Sequence, residues 1–243
     1  KTAYEIRNCD WSSDVCSSDL SEHSLDDVLA GRCTAEQAIQ IGPCGLAVLA
    51  SSHGSERFAA GGAQAAAAAM AVIERAGAAF DLVICDTGAG IGPLSLLAAE
   101  RADLAISVTA SDPASVTDTY ALCKVLHARG RALPRLVVNG CRSREEGMRT
   151  AARIASVCAR FLDTECAWIA TIRREAALEA AICEQRPLAL QPGSSAPGLE
   201  DLRALHAAVR SQLPALQRRE AAPLRTVALR PTTSPAVAPV GNP

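Results

Sequence analysis

The sequence predicts an α/β fold in which a mostly parallel sheet is flanked by helices. Two observations carry this prediction. Short apolar segments alternate with alanine-rich segments of helical length, which is the pattern of βαβ units. In addition, residues 82–85 form an apolar run without polar alternation, as is typical of a parallel strand covered on both faces. The chain has 243 residues, which is enough for one domain of this class.

The predicted elements alternate from residue 24 to residue 213. We predict helices at residues 24–29, 34–41, 59–76, 94–101, 114–128, 145–161, 174–185 and 199–213. We predict strands at residues 46–50, 82–85, 104–109, 136–138 and 167–170. Ser24 and Thr34 are the predicted N-caps of the first two helices, because their hydroxyls accept hydrogen bonds from first-turn N–H groups. Gly77 is predicted to end the third helix.

The composition argues against several classes of protein. The net charge is -2 and aromatic residues make up 3% of the chain, so nothing in bulk indicates a nucleic-acid partner. No apolar run is long enough for a transmembrane helix. The 10 cysteines include no Cys-x-x-Cys pair and no histidine at ligand spacing, so the sequence does not predict a zinc site. Several lie in apolar runs, where cysteine serves as a small buried hydrophobe.

The two ends of the chain differ from its middle. Residues 1–20 have no helical or strand period and match a translated sequencing adapter, so we treat them as an artefact and exclude them from fold reasoning. Residues 216–243 are rich in Pro, Ala and Arg and are predicted to be a disordered tail. Arginines among leucines in residues 213–230 fit a helix on a membrane surface, although Pro214 and Pro223 interrupt it. One folded domain is therefore expected over residues 21–215.

The residues that follow the apolar run 82–85 are candidates for ligand binding. Asp86 stands at the carboxyl end of the predicted strand, where open α/β sheets bind their ligands. Glycines follow at positions 88, 90 and 92. A carboxylate beside glycines that expose backbone N–H groups suits a hydrated Mg²⁺ next to a nucleotide γ-phosphate. The alternative is that Asp86 caps the next helix.

Three segments together resemble the MinD/ParA superfamily of deviant-Walker ATPases. They are DLVICDTGAGI at residues 81–91, TASDPASVTDTYALCK at residues 109–124 and VVN at residues 137–139. Within the superfamily, the DTGAG form at residues 86–90 is most similar to the flagellar-number regulators. The resemblance covers about residues 21–210 and implies a P-loop NTPase fold of the MinD/ParA type, of which residues 21–215 form a part.

The resemblance implies roles for the residues of the DTGAG motif. Asp86 is expected to hold Mg²⁺ through water. Gly88 is expected to present its backbone near the γ-phosphate, as a switch that changes on hydrolysis. Asp86 and Gly88 are thus the catalytic candidates, and Thr87 joins them as a nucleotide-binding residue.

Further candidates follow the next two predicted strands. The resemblance implies that Asn139 hydrogen-bonds the adenine through its side-chain amide, although an Asn-Gly turn would also explain this residue. Asp112 and Pro113 are expected to line the same end of the sheet, and helix capping is an equal alternative for Asp112. Arg173 and Arg174 stand where the family has a proline and an acid, so we treat them as a solvated loop.

The resemblance also implies a function for the intact parent protein. The parent is expected to bind ATP and Mg²⁺, to hydrolyse ATP and to form an ATP-dependent homodimer. It would regulate flagellar number or placement from the bacterial cytoplasm, as a peripheral protein of the inner membrane, with a flagellar regulator or flagellar GTPase as partner. A chromosome- or plasmid-partitioning or division-site ATPase is an alternative, and so is a non-catalytic interaction module.

The largest departure from the family concerns the phosphate loop. In the family, a first strand and a glycine-rich P-loop with a lysine precede the segment that matches from residue 21, and the sequence as written contains neither. The N–H groups and lysine of that loop supply most of the nucleotide affinity. We therefore predict that the chain as written binds ATP weakly and does not hydrolyse it. Without the first strand, exposed sheet edge and apolar surface are expected.

Overall fold

The computed structural model describes residues 23–42, 45–51, 56–184, 188–191 and 196–213. The predictions for residues 1–20, for the tail at residues 216–243 and for a membrane-surface helix beyond residue 213 lie outside the described residues. Among the residues that are described, no helix has the length and apolar character needed to cross a membrane.

Helices and strands alternate along the described chain. The helices are α1 (Leu25–Leu29), α2 (Ala35–Ala38), α3 (Glu56–Gly77), α4 (Pro93–Arg101), α5 (Pro113–Ala128), α6 (Arg144–Leu162), α7 (Ala176–Cys183) and α8 (Pro197–Gln212), with a 3₁₀ helix at Leu188–Leu190. The strands are β1 (Ile39–Ile41), β2 (Ala47–Leu49), β3 (Ile106–Thr109), β4 (Arg135–Cys141) and β5 (Trp168–Arg173). The predicted α/β class is therefore confirmed.

Three strands form the main sheet. Their order is β3-β4-β5 and both neighbouring pairs are parallel. Helix α5 connects β3 to β4 and α6 connects β4 to β5, so each pair is a βαβ unit. Thr109 of β3 pairs with Val138 of β4, and Cys141 of β4 pairs with Arg173 of β5. The ends of the three strands at Thr109, Cys141 and Arg173 define the carboxyl edge of the sheet.

Helices cover both faces of the central strand β4. Leu136 packs with Cys123 and Ile154, which lie in α5 and α6. Val137 points to the opposite face, because side chains alternate along a strand, and it lies in a cluster with Leu178 of α7 and Leu205 of α8. Cys123, Cys141, Cys158 and Cys166 are all buried, as expected for cysteines in apolar runs.

The amino-terminal part of the described chain differs from the prediction at residues 39–41. Thr34 caps α2 as predicted, since its Oγ1 accepts a hydrogen bond from the backbone N of Gln37 at 3.3 Å. The helix predicted over residues 34–41 nevertheless ends at Ala38. Ile39 has the extended angles φ -74° and ψ 129°, and it pairs with Leu49 in an antiparallel β1-β2 sheet. Pairing with β2 therefore overrides the local helical pattern.

The predicted strand at residues 82–85 was wrong. These residues lie outside both sheets, and Leu82, Val83 and Ile84 are 47%, 47% and 81% exposed. A run of apolar residues forms a strand only when another strand accepts its backbone hydrogen bonds, and no described strand pairs with this one. Along β3, Val108 is 63% exposed. The expected exposure of apolar surface is thus confirmed for the described residues.

Candidate nucleotide site

The carboxyl edge brings together the candidates that follow β3 and β4. Thr109 pairs with Val138, so Asp112 and Asn139 follow their strands at the same edge of the sheet. Pro113 is the first residue of α5. The topology therefore agrees with the prediction that Asp112, Pro113 and Asn139 share one end of the sheet. Their contact with a nucleotide stays a prediction.

Asp112 is the N-cap of α5. Its Oδ1 accepts a hydrogen bond from the backbone N of Ser115 at 3.0 Å, and its Oδ2 accepts one from the Ser115 hydroxyl at 2.6 Å. The bond from the Ser115 hydroxyl, followed by the one from its backbone, holds the pKa of Asp112 below its ordinary value. Pro113 suits the first helical position, where no backbone N–H is needed. The structure thus supports the capping alternative for Asp112.

Asn139 is exposed in the last part of β4, which continues to Cys141 rather than ending at Val138. Its side-chain Oδ1 accepts a hydrogen bond from the backbone N of Gly140 at 2.9 Å. Gly140 has φ +69°, a left-handed conformation that favours glycine. The local turn is therefore present. The bond to Gly140 occupies one lone pair of Oδ1, so the amide of Asn139 keeps a second lone pair and its N–H donors.

The DTGAG motif forms a surface segment in front of α4. Asp86 and Gly88 are exposed, and Thr87 is half-buried. The carbonyl oxygen of Gly88 accepts a hydrogen bond from the Ser95 hydroxyl at 3.1 Å, which ties the segment to the first turns of α4. The N-cap of α4 is Gly92, so Asp86 does not cap this helix. The capping alternative for Asp86 is therefore not supported.

The glycines of this segment leave space around their backbone. A Cβ atom added at Gly88, Gly90 or Gly92 would meet no described atom within 4 Å. Only Gly90 has a backbone conformation that itself favours glycine, with φ +91°. Packing therefore does not explain glycine at positions 88 and 92. Close approach of another group to the backbone would explain it.

The structure leaves the candidate site in two parts. One part is the exposed segment 86–88 beside α4, and the other is the carboxyl edge with Asp112, Pro113 and Asn139. In the ranges that the structure describes, no hydrogen bond or ion pair joins the two parts. The reason is that residues 82–85 do not enter the sheet, whereas the prediction relies on that strand to carry Asp86 to the carboxyl edge.

Glu146 is a residue of the carboxyl edge that sequence reasoning missed. Its Oε1 accepts a hydrogen bond from the Ser111 hydroxyl at 3.1 Å, and its Oε2 accepts one from the backbone N of Arg142 at 2.8 Å. Bonds from the Arg142 side chain, then from its backbone, lower the pKa of Glu146 to about 2. Glu146 therefore links the loops after β3 and β4. The serine that caps α6 predicts where this helix begins, but no sequence pattern predicts the hydrogen bond between Glu146 and Ser111.

Arg173 does not lie in a solvated loop, so that prediction was wrong. It is the last residue of β5, and its Nε donates a hydrogen bond to Oδ2 of Asp201 at 2.7 Å. Arg144 donates from Nη2 to Oδ1 of the same carboxylate at 2.8 Å. Burial of Asp201 raises the carboxyl pKa, but the bonds from Arg173 and Arg144 outweigh burial and lower it overall. This network fastens α8 to the carboxyl edge. Arg174 is exposed and pairs with Glu179.

The side chains present fit part of a Mg²⁺–ATP site. The exposed carboxylate of Asp86 and the open backbone at Gly88 suit a hydrated cation beside a phosphate, and Asn139 offers an amide for a base. From residue 21 onwards the sequence has no glycine-rich loop with a lysine to surround the remaining phosphates. The fit therefore extends to the cation, the terminal phosphate and the base, and not to the whole nucleotide.

Solved structures share the fold of this chain. The chain is similar to the cell division ATPase MinD of Pyrococcus furiosus, with 21% identity and a TM-score of 0.61 over 79% of this chain and 77% of that one. It is also similar to a chain of the MinC:MinD cell division protein complex of Aquifex aeolicus, with 20% identity and a TM-score of 0.58 over 90% of this chain and 82% of that one. The fold is therefore that of MinD-like P-loop NTPases.

The sequence is also similar to that of a characterised bacterial protein. The chain is similar to the antiactivator FleN of Pseudomonas aeruginosa, with 27% identity over 166 residues, which are 68% of this chain. It spans 59% of the length of FleN. No family model matches the chain. The chain is thus similar in sequence to FleN and has the fold of MinD-like P-loop NTPases.

Proposed function

We propose that the chain is part of a MinD-like regulator of flagellar number or placement that binds and hydrolyses ATP. The observation that carries the proposal is the similarity to FleN over 166 residues. The DTGAG motif supports the same branch. A partitioning or division-site ATPase would share the MinD-like fold, and the sequence shows no extended basic surface of the kind that DNA partitioning needs.

In this proposal, the segment 86–88 responds to the terminal phosphate. Asp86 holds Mg²⁺ through water, and Thr87 and Gly88 meet the γ-phosphate. The bond from Ser95 to Gly88 supports a mechanical role, because a shift of Gly88 would be passed to α4. At the other end of α4, Arg101 pairs with Glu74 of α3 at 2.9 Å, and Glu100 pairs with Arg129 after α5. Movement of α4 would therefore reach two neighbouring helices.

The carboxyl edge takes the base in the same proposal. Asn139 offers its amide to the adenine, while Asp112 and Pro113 hold the start of α5 beside it. Asp112 is engaged in capping, so its contribution is to position the loop. Bound ATP and Mg²⁺ would join this edge to the segment 86–88, which is separate from it in the present structure.

A non-catalytic interaction module is the second candidate function. The observation that favours it is the exposure of residues 82–84, at 47% to 81%, next to half of a nucleotide site. Surface of this kind can bind another protein.

In either case we propose a bacterial cytoplasmic protein, peripheral at the inner membrane. The parent would form an ATP-dependent homodimer and act on a flagellar regulator or flagellar GTPase.

Titration with Mg²⁺–ATP tests the proposal in two forms of the protein. For the chain as written, we expect a Kd weaker than about 1 mM and no phosphate release above background, because residues 21–243 contain no glycine-rich loop with a lysine to hold the phosphates. The same chain preceded by its own uninterrupted upstream sequence is expected to bind and hydrolyse ATP. In that longer form, Asp86→Asn should weaken Mg²⁺–ATP binding by about tenfold or more. Asp118→Asn, which changes an exposed acid on α5, is the control and should leave binding unchanged.

Four results would count against the proposal. Tight binding by the chain as written would show that the nucleotide is held by other residues. Equal effects of Asp86→Asn and Asp118→Asn would remove Asp86 from the site. A longer form that neither binds ATP nor restores the flagellar number of a Pseudomonas aeruginosa strain without FleN would favour the interaction module. Restored ATP hydrolysis without restored flagellar number would favour a partitioning or division-site ATPase.

A further inference from the structure

Three buried cysteines meet in the core beneath the main sheet. Cys123 lies in α5, Cys158 in α6 and Cys166 in the segment that leads into β5. Their sulfur atoms all lie within 4.8 Å of one another, and the Sγ atoms of Cys123 and Cys166 are 3.8 Å apart. The three residues are at most 2% exposed. We call these three residues the thiol cluster.

The thiol cluster lies away from the candidate nucleotide site. Cys166 precedes β5, and Leu136, near the start of β4, packs against the cluster. The cluster therefore sits towards the amino ends of the strands, whereas Asp112 and Asn139 lie at the carboxyl edge. Whatever the cluster does is separate from the proposed nucleotide chemistry.

Packing alone does not require three thiols at one point. Cysteine is a common small residue in cores, and an apolar environment of Leu136, Ile154 and Leu162 surrounds the cluster. Cys141 shows that ordinary role, since it is fully buried in a separate cluster with Val138 and Ala151. The thiol cluster differs because α5, α6 and the segment that leads into β5 each direct a sulfur atom to a common centre.

The sulfur separations suit a soft metal ion. With metal–sulfur bonds of about 2.3 Å, the sulfur atoms lie about 4.0 Å apart around a planar three-coordinate ion. The cluster reaches this spacing if its longest separation contracts by less than about 1 Å from the observed limit of 4.8 Å. Within the described residues, no histidine or carboxylate belongs to the group as a fourth ligand. Structural zinc sites use four ligands, whereas soft thiolates also select Cu(I).

A positive charge near the cluster would stabilise a bound Cu(I) complex. A Cu(I) ion with two thiolates and one thiol has a net charge of −1, which would be costly to bury alone. Arg135 is the first residue of β4 and follows Pro134, whose carbonyl oxygen accepts a hydrogen bond from Cys166 at 3.4 Å. The positive charge of Arg135 interacts electrostatically with Cys166. Arg135 can therefore offset this charge.

We propose that Cys123, Cys158 and Cys166 form a binding site for one Cu(I) ion. The ion would connect α5, α6 and the start of β5 from inside the core. Because the folded chain presents the three ligands together, binding would stabilise the folded state and raise its melting temperature. The buried ion would enter during folding or by local opening of the helices.

Anaerobic titration of the reduced full chain with Cu(I), against a competing Cu(I) chelator, tests the site. Cys158→Ala removes one member of the cluster, and Cys141→Ala is the matched control that removes one buried thiol elsewhere. Both variants keep the same exposed thiols. We expect Cys141→Ala to bind one Cu(I) as the wild type does, and Cys158→Ala to bind it about a hundredfold more weakly or not at all.

X-ray absorption at the copper edge gives a second measurement that does not depend on any variant. The wild-type chain with one equivalent of Cu(I) is expected to show a shell of three sulfur ligands, and its melting temperature is expected to rise. Oxygen or nitrogen ligands in that shell would overturn the proposal. Equal Cu(I) affinity in the two variants would overturn it as well, as would displacement of Cu(I) by an equal concentration of Zn²⁺. If Cys158→Ala does not fold, the absorption spectrum of the wild type decides.

Discussion

Two apolar runs of this chain, in β4 and before the DTGAG motif, have similar composition and opposite environments. Residues 136–138 of β4 are at most 1% exposed, whereas residues 82–84 are 47% to 81% exposed. The difference lies in their partners. β4 has a strand on each side and helices on both faces, while no described strand pairs with residues 82–84. An apolar run is thus buried only when neighbouring strands and helices cover it, and its own sequence does not ensure this.

We expect the largest change in the free energy of unfolding when one side chain in each run is truncated to alanine. Leu136→Ala leaves a cavity in the core and should lower the free energy of unfolding by about 3 kcal/mol. Ile84→Ala removes a side chain that is 81% exposed and should change it by less than about 0.5 kcal/mol. Urea denaturation followed by circular dichroism measures both. A cost above about 1.5 kcal/mol for Ile84→Ala would mean that this run is packed in solution.

Two glycines allow a second comparison, between a position where the backbone is closely packed and one where it is open. A Cβ atom at Gly147 would lie 2.1 Å from Oγ1, 2.4 Å from Cγ2 and 2.8 Å from Cβ of Thr171, so rotation of that side chain gives no relief. Gly147→Ala should therefore cost about 2 kcal/mol, although alanine is usually favoured over glycine inside a helix. Gly88→Ala meets open space and should leave stability within about 0.5 kcal/mol. Denaturation midpoints compare the two variants, and equal midpoints would show that α6 does not approach β5 closely.

The smallest expected effect concerns acid stability. Hydrogen bonds from Arg142 lower the pKa of Glu146 from 4.5 to about 2 in the folded chain. A group whose pKa is lower in the folded state stabilises the fold above its unfolded pKa, and this contribution is lost as the pH falls from about 4.5 towards 2. Glu146→Gln should therefore lose less stability than the wild type between pH 7 and pH 3.

The control for Glu146 is Glu165→Gln, which changes an exposed glutamate before β5. It should follow the acid response of the wild type in the same thermal melts. If Glu146→Gln also follows the wild type, the bond between Glu146 and Arg142 is not maintained in solution, and the loops after β3 and β4 are held in another way.

Much of the fold and part of the site could be predicted from local patterns. The helix N-caps at Thr34 and Asp112 depend on a few neighbouring atoms, so residue type alone predicts them. The parallel arrangement of the strands predicted at residues 104–109, 136–138 and 167–170 follows from the alternation of strands and helices, and the residues after the first two strands lie at one edge as expected. The hydrogen bonds that Ser111 donates to Glu146 and that Arg173 donates to Asp201 join residues distant in sequence, and no local pattern signals them.

The sequence by itself determined the α/β class, the alternation of strands and helices that makes the sheet parallel, and the residue types at the candidate nucleotide site. Those features arise from hydrophobic periodicity and from side-chain chemistry that each segment carries alone. Only the tertiary structure decided that residues 82–85 stay outside the sheet, that residues 39–41 form a strand and that three cysteines meet in the core. Each of these depends on a partner elsewhere in the chain, because a strand needs a neighbour for its hydrogen bonds and a buried cluster needs several segments to meet.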